Sequence, residues 1–378
     1  MLKRLVAFDT TSRNSNLALI DWVRDYLADL GVESQTVYSE DGAKANLYAT
    51  IGPDDKPGIM LSGHTDVVPV DGQDWDTDPF EIVEKDGRLY GRGTCDMKGF
   101  GAVVLALAPE FKRRNLKTPI HLAFSYDEEV GCIGVRRLID EVQRMDVRPA
   151  ACIVGEPTEM MVIRAHKGKS SFVCEVRGFE CHSSLAHTGV NAVEYGAAVV
   201  ARLREMARAR RENGPFDDGY LPPYTTIHTG LMNGGTALNI VPKDCSFEFE
   251  WRYLPDEDPA AILKEIQTYV DEELVPEMRA IHPDTGITIT EMSDIAGFDT
   301  PEDADVTTLA KALAQVNDTS KVSFGTEAGL FNNADIPTII CGPGSIDQAH
   351  KPNEFVSLDQ LAACEAFLKR LMDRVAQG

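Results

Sequence analysis

The sequence predicts an α/β domain with a mixed, largely parallel sheet, interrupted by an inserted α+β unit of ferredoxin-like type. Two observations carry this expectation. Short, wholly apolar runs alternate with helix-patterned segments near both ends of the chain, the pattern of strands covered by helices on both faces. In the middle, polar residues alternate with apolar ones along a strand, and the elements run β-α-β-β-α-β. A length of 378 residues exceeds one ordinary core and agrees with two domains.

Taken in order, "NLALIDWVRDYLADLGV" carries apolar residues at helical spacing and stops at a glycine. "GIMLSGHTDVV", "IHLAFSY" and "AACIVGE" are apolar runs of strand length, and "MKGFGAVVLALAPEFKRRNL" supplies a helix between the first two. From about residue 170 the rhythm changes. "SSFVCEVRG" is a strand and "NAVEYGAAVVARLREMARARR" a helix. "YTTIHTGLMNGG" and "CSFEFEWRYL" are strands, "AAILKEIQTYVDEEL" a helix and "GITITEMS" a strand. After about residue 294 the first style returns with a helix near "DVTTLAKALAQV", the strand "PTIICGPG" and the helix "LDQLAACEAFLKRLMDRVA". Residues 1–172 and 294–378 therefore form one domain and residues 173–293 an insert.

Composition narrows the function. The apolar share is 43%, the charged share 26% and the net charge −23. Such a surface repels polyanions and argues against a nucleic-acid partner. No apolar stretch reaches the ~18 residues that suggest a membrane span, and the opening "MLKRLVAFDTTSRN" lacks a signal-peptide pattern, so a cytoplasmic enzyme is expected. None of the eight cysteines forms a C-x-x-C pair, and most sit in apolar runs, as small buried residues in a reducing compartment.

The chemistry lies where apolar runs end. "IMLSGHTD" delivers His64 and Asp66, "LAFSYDEE" delivers Asp127, Glu128 and Glu129, and "CIVGEPT" delivers Glu156. His350 follows "PTIICGPG", and Asp96 sits in the turn "LYGRGTCDMKG" before a helix. Ligands of open α/β sheets bind beyond the carboxyl ends of the strands, so these clusters should converge. Two imidazoles and several carboxylates together need positive charge, and no run of Lys or Arg accompanies them. A mixed His/Asp/Glu set suits zinc. It exceeds what one tetrahedral ion needs and suits two, roughly 3.5–4 Å apart and sharing a carboxylate. Asp66 is spaced to accept the other ring N–H of His64. "GRGTCD" fails as a dinucleotide loop because Asp96 replaces the last glycine, and "KGKSS" fails as a phosphate loop because Ile163 replaces the first.

"GHTDVVP", "GRGTCDMKG", "YDEEVG", "GEPT" and "HKPNEF" resemble, in order and spacing, the motifs of the M20 metallopeptidase family. The resemblance implies a zinc-peptidase-like catalytic domain with two Zn2+ ions, for which Co2+ may substitute, and an inserted dimerisation domain that makes the protein a homodimer. It assigns His64 and Glu156 to one ion, Glu129 and His350 to the other, and Asp96 to both. It makes Glu128 the general base and Asp66 the orienting acid, and implies a cis peptide after Asp96. His182, in "ECHSSLAHTG", corresponds to a residue that reaches the partner subunit's site and hydrogen-bonds the oxyanion. Asn239, Arg252, Thr326 and Glu327 correspond to substrate contacts, with an Arg252–glutamate pair within its own sheet as the plain alternative. Glu327 is suited to a substrate ammonium, with a structural ion pair as the alternative. Asp127 receives no role beyond support or hydrogen bonding, and Cys95 is expected to be buried and inert, the alternative being a thiol that makes the site sensitive to oxidation.

The implied reaction is hydrolysis of a small N-acyl amino acid. Within the family, "YGRGTCDMKGF", "FGTEAGLF" and "HKPNEF" look most like the acetylornithine deacetylase branch. The desuccinylase branch acting on succinyl-diaminopimelate, aminoacylases and carboxypeptidases are the rivals. A metal-binding amino-acid sensor on the same scaffold would be expected to lose Glu128, which this chain keeps.

Overall fold

Four apolar runs form the centre of the larger sheet because none of their residues can face water. In the computed structural model, which describes residues 1–377, strands Ile120–Ser125, Ile59–His64, Ala151–Pro157 and Thr338–Gly342 lie side by side, all parallel. Every residue in them is buried. Further strands flank this core, the first on each side antiparallel to its core neighbour. Ala45–Ile51 and Ser34–Tyr38 extend one side, and Ile163–His166 and Phe298–Asp299 the other. The sheet is therefore mixed with a parallel centre.

The chain divides into two units, one comprising residues 1–165, 298–321 and 326–378, the other residues 166–297 and 322–325. In the first, helix Lys98–Arg113 is largely buried, and Leu105, Ala108 and Phe111 of it join the core with Phe367, Leu368 and Leu371 of helix Leu358–Gln377. One glycine lets it settle onto the sheet: a Cβ at Gly155 would lie 2.0 Å from the Phe100 ring. The parallel strands then all end on one edge, so His64 and Glu156 are strand residues and Asp127, Glu128 and Glu129 follow Ser125 after one intervening residue, Tyr126. A small three-stranded sheet, Val83–Lys85, Arg88–Tyr90 and Phe355–Ser357, holds the turn of Asp96 against the segment after His350.

The second unit is a four-stranded antiparallel sheet in the order Thr226–Gly234, Asp244–Tyr253, Gly168–Arg177, Gly286–Ile295. Burial alternates along Gly168–Arg177 and Asp244–Tyr253, so one face packs on helices. Phe172, Phe247, Phe249 and Trp251 fill that face with Val199, Leu203 and Ile266, and the Phe172 and Trp251 rings lie 4.4 Å apart. Helix Pro259–Tyr269 does not stop where the acidic run "DEEL" suggests. It passes through a π-helical turn, Val270–Leu274, into Val275–Ile281. Pro276 stands just past the π-helical turn, as the second residue of that last segment, and Val275 and Met278 are buried. Among the described residues no helix is long and apolar enough to cross a membrane, and all eight cysteines are free.

Candidate active site

His64 closes its strand with a buried imidazole whose two nitrogens face different partners. Nδ1 lies 2.9 Å from the Asp66 carbonyl oxygen and donates to it, while the Asp66 carboxylate is 3.5 Å away. The backbone carbonyl, rather than the carboxylate expected from sequence, thus takes the His64 proton. That leaves the Asp66 carboxylate to receive the backbone N–H of Glu128 at 3.1 Å, that of Glu129 at 3.3 Å and the Ser12 hydroxyl at 2.8 Å. Asp66 therefore orients the acidic loop as well as the imidazole.

With Nδ1 protonated, a neutral His64 would present a lone pair at Nε2, which sits 3.0 Å from Asp96 Oδ1 and 3.7 Å from Glu156 Oε1. The other oxygen of Asp96, Oδ2, lies 3.3 Å from His350 Nε2, which is 2.9 Å from Glu129 Oε2. Asp96 thus stands between two pairs, His64 with Glu156 and His350 with Glu129. Ligand atoms of His64, Glu128 and Glu156 lie within 4.8 Å of one another, as do those of His64, Asp96 and Glu129. The Asp96–Met97 peptide is cis, as the resemblance implied.

The electrostatics are those of acids crowded onto acids. Burial pushes the Glu128 and Glu156 carboxyls well above the usual range; repulsion from Asp96 adds to this, and His64 only partly offsets it. Glu129 is pushed up to about 7, by burial first and then by Asp96. Hydrogen bonds to Asp96 and Glu129 raise His350 to about 10. Burial works against a charge on His64, but its bonds to Asp66 and Asp96 prevail and raise it. For the protein groups alone, protons must sit where the acceptors meet. A cation could replace them. Glu129 Oε1, buried and without a hydrogen-bond partner, is a further donor that a cation would use. The donor set, two imidazoles and oxygen ligands from Asp and Glu, therefore fits metal ions of the zinc type.

The loop around these groups is pinned by neighbours the sequence did not single out. Lys44 Nζ donates to Asp127 at 2.5 Å, which accounts for the third acid of the triplet. Glu354, in "HKPNEF", is 1% exposed and carries a full set of donors. A charged residue within a motif was the available signal for it, though its spacing gave no partner.

Thr326 and Glu327 are also buried in this unit. Glu327 Oε1 accepts from the Ser125 hydroxyl at 2.5 Å, and Oε2 has no hydrogen-bond partner. Burial pushes this carboxyl up to about 7. Thr326 Oγ1 receives the Ala328 N–H at 3.1 Å. The remaining expected residues belong to the second unit. His182 is exposed, with Nδ1 held 2.9 Å from the Ser184 hydroxyl. Asn239 is exposed and its carbonyl accepts from Ser183 N–H at 3.0 Å. Arg252 Nε donates to Glu250 at 3.2 Å and its guanidinium to the Ser323 carbonyl at 3.3 Å, so the in-sheet pair weighed from the sequence exists. Cys95 is 1% exposed, with its thiol turned to the Ser345 carbonyl, and burial raises it far above the ordinary thiol range. It is a packing residue rather than a reactive one.

Residues 60–374 match the model of peptidase family M20/M25/M40. The chain is 36% identical over 384 residues to an acetylornithine deacetylase of Myxococcus xanthus, covering 100% of this chain and 97% of that protein. Its fold matches that of an M20 family metallo-carboxypeptidase from Sulfolobus solfataricus with a TM-score of 0.77 at 16% identity, covering 100% and 98% of the two chains. A dinuclear metal-binding peptidase of the M20 family from Bacillus subtilis matches with a TM-score of 0.70 at 13% identity over 100% and 97%.

Proposed function

The chain belongs to peptidase family M20/M25/M40 and is a hydrolase of that family; from that premise we propose that it removes the acetyl group from N2-acetyl-L-ornithine, using two zinc ions. The observation that carries the hydrolytic reading is the placement of Glu128. Its carboxyl has ligand-forming atoms of His64 and Glu156 within 4.8 Å, while its backbone is fixed by Asp66 at 3.1 Å.

His64 and Glu156 would hold one ion, His350 and Glu129 the other, with Asp96 shared. Bound dications polarise a substrate carbonyl and acidify water at neutral pH. Glu128 takes the proton of the attacking water. The C–N bond of the amide then breaks, and Glu128 returns that proton to the departing amine, leaving acetate and ornithine. Asp66 keeps Glu128 and Glu129 aimed by holding both of their N–H groups.

The acetylornithine assignment draws on full-length relatives of that name at 32–36% identity. The orphan Oε2 of Glu327 supports it, since a buried carboxylate oxygen without a partner suits a substrate ammonium. Arg252 and Asn239 would contact the substrate carboxylate. We further propose a homodimer formed through the second unit, with His182 of one copy serving the site of the other. The exposed Leu231 and Met232 on edge strand Thr226–Gly234 suit such a contact. The free cysteines suit a reducing cytoplasm.

The test is a side-by-side assay of the zinc-loaded protein on N2-acetylornithine, N-succinyl-diaminopimelate and N-acetylmethionine. N2-acetylornithine should show the highest kcat/KM. A clear win for the succinylated compound would overturn the substrate and leave the family intact. Mixing a His182→Ala chain with a Glu128→Gln chain should restore one site per heterodimer; two inactive sites would refute action in trans.

A further inference from the structure

Glu354 brings together two loops that the chain delivers from opposite ends of the first unit. Its carboxylate is 1% exposed. Oε1 accepts the backbone N–H of Cys95 at 2.8 Å and that of Asp96 at 3.0 Å. Oε2 accepts the N–H of Gly93 at 3.0 Å and the Arg92 guanidinium at 2.7 Å. Four donors on one buried carboxylate leave it a single orientation. The Glu354 carbonyl also accepts the Gly91 N–H at 2.9 Å. The turn that carries Asp96 is thereby fastened to the segment that carries His350.

Arg92 extends the fastening. Its other terminal nitrogen donates to Gln73 Oε1 at 2.6 Å, and Gln73 Nε2 donates to the carbonyl of His350 itself at 2.9 Å. The Arg92 guanidinium lies 5.2 Å from the Trp75 ring centre, and Trp75 Nε1 donates to Gln73 Oε1 at 3.0 Å. His350 has a left-handed backbone, φ +64°, and a side chain 55% exposed. Packing alone does little to hold such a residue, so its main chain needs outside support. The network's backbone links end on the turn Gly91–Asp96 or on His350. None ends on His64 or Glu156, which sit on sheet strands instead.

We propose that Glu354, acting through Arg92 and Gln73, is a positioning residue chiefly for the ion site built from Asp96, Glu129 and His350, because the brace reaches both Asp96 and His350 there but only the shared Asp96 of the other site. This rests on the two-ion reading above. The pair His64 and Glu156 takes its geometry from the parallel sheet and needs no such brace. The two sites therefore have different supports, and the loop-built site should loosen first. Glu354→Gln keeps the shape and one acceptor oxygen. Its amide, however, turns two N–H donors toward donors already on Gly93 and Arg92.

The test is Zn2+ binding to the full-length protein, measured by equilibrium dialysis and repeated with Co2+ for its absorption spectrum. Wild type should bind two ions. Glu354→Gln should bind one with affinity within about threefold of wild type and the other about 10–100-fold more weakly, the range found when an outer partner of a ligand is removed. Gln73→Ala, at a partly exposed loop position, should weaken the same ion by a smaller factor and leave the thermal midpoint unchanged. That variant guards against misfolding of the first. Equal loss at both ions, or no loss at either, would overturn the proposal while the two-ion reading stood. Fewer than two ions in wild type would overturn both.

Discussion

The second unit and the candidate site of the first handle charge in opposite ways. In the second, acids sit beside bases: Arg177 is 2.6 Å from Asp244, Arg252 3.2 Å from Glu250, and Arg202 and Arg210 are 3.4 and 3.3 Å from Glu265. These charges are balanced in place without a ligand, and Arg252, also proposed to meet the substrate carboxylate, is the exception. In the first, Asp96, Glu128, Glu129 and Glu156 gather beside two imidazoles, and the nearby strong bases are engaged elsewhere, Lys44 with Asp127, Arg92 with Glu354 and the buried Lys98 with the Phe8 carbonyl at 2.9 Å. Crowded acids with no bases to spare mark a place prepared for an outside cation. Ion pairs alone do not.

The comparison can be broken most sharply at Glu128. Glu128→Gln removes a base without removing a ligand of either proposed ion. Turnover on N2-acetylornithine should fall about 10²–10⁴-fold while the protein still binds two zinc ions by dialysis. Near-normal turnover would end its assignment as the base. A smaller loss of turnover, at unchanged ion stoichiometry, is expected for Asp66→Asn, because the amide offers only one acceptor where Glu128 N–H, Glu129 N–H and Ser12 now bond.

His121 tests the opposite case, a titratable group in the first unit with no ligand to serve. It is 4% exposed, stacks on Tyr48 at 5.6 Å, and burial lowers it from 6.5 to about 4. The unfolded chain therefore binds a proton below 6.5 that the folded chain refuses until about 4. Stability contributed by the neutral ring is complete above 6.5 and declines as pH falls through that window, by about 3 kcal/mol in all. Urea unfolding of His121→Gln across the same range should show a correspondingly shallower acid loss. An identical slope would mean the ring is not shielded.

The least effect is expected in the second unit. Glu250→Gln weakens pairs with Arg252 and Lys169 that stand partly in solvent, so stability should change by less than about 1 kcal/mol. A larger change would show that these pairs, too, carry more than local neutrality.

The sequence disclosed those features that depend on a residue's own neighbours. Apolar runs of strand length ending in His64, Glu156 or the Asp127–Glu129 triplet located the site, because parallel strands end on one edge whatever their order in the sheet. Alternation along "SSFVCEVRG" and "CSFEFEWRYL" revealed a one-sided sheet. What stayed hidden depends on long-range partners. Glu354 serves backbone N–H groups some 260 positions away, and nothing in its surroundings names them. Asp127 gains its meaning from Lys44 in another strand connection. Antiparallel strands Ser34–Tyr38 and Ala45–Ile51 escaped because the first is only partly buried and carries no clean period. The helix beyond Pro276 escaped because a proline suggests an ending, and the π-helical turn that carries the chain past it leaves no sign in the sequence.

The most direct measurement is an anomalous difference map at the zinc edge, from crystals of the full-length protein grown with Zn2+. This account expects two peaks in the first unit, one between His64 and Glu156 and one between His350 and Glu129, with Asp96 beside both. No peak among these side chains, or a single one away from Asp96, would contradict it.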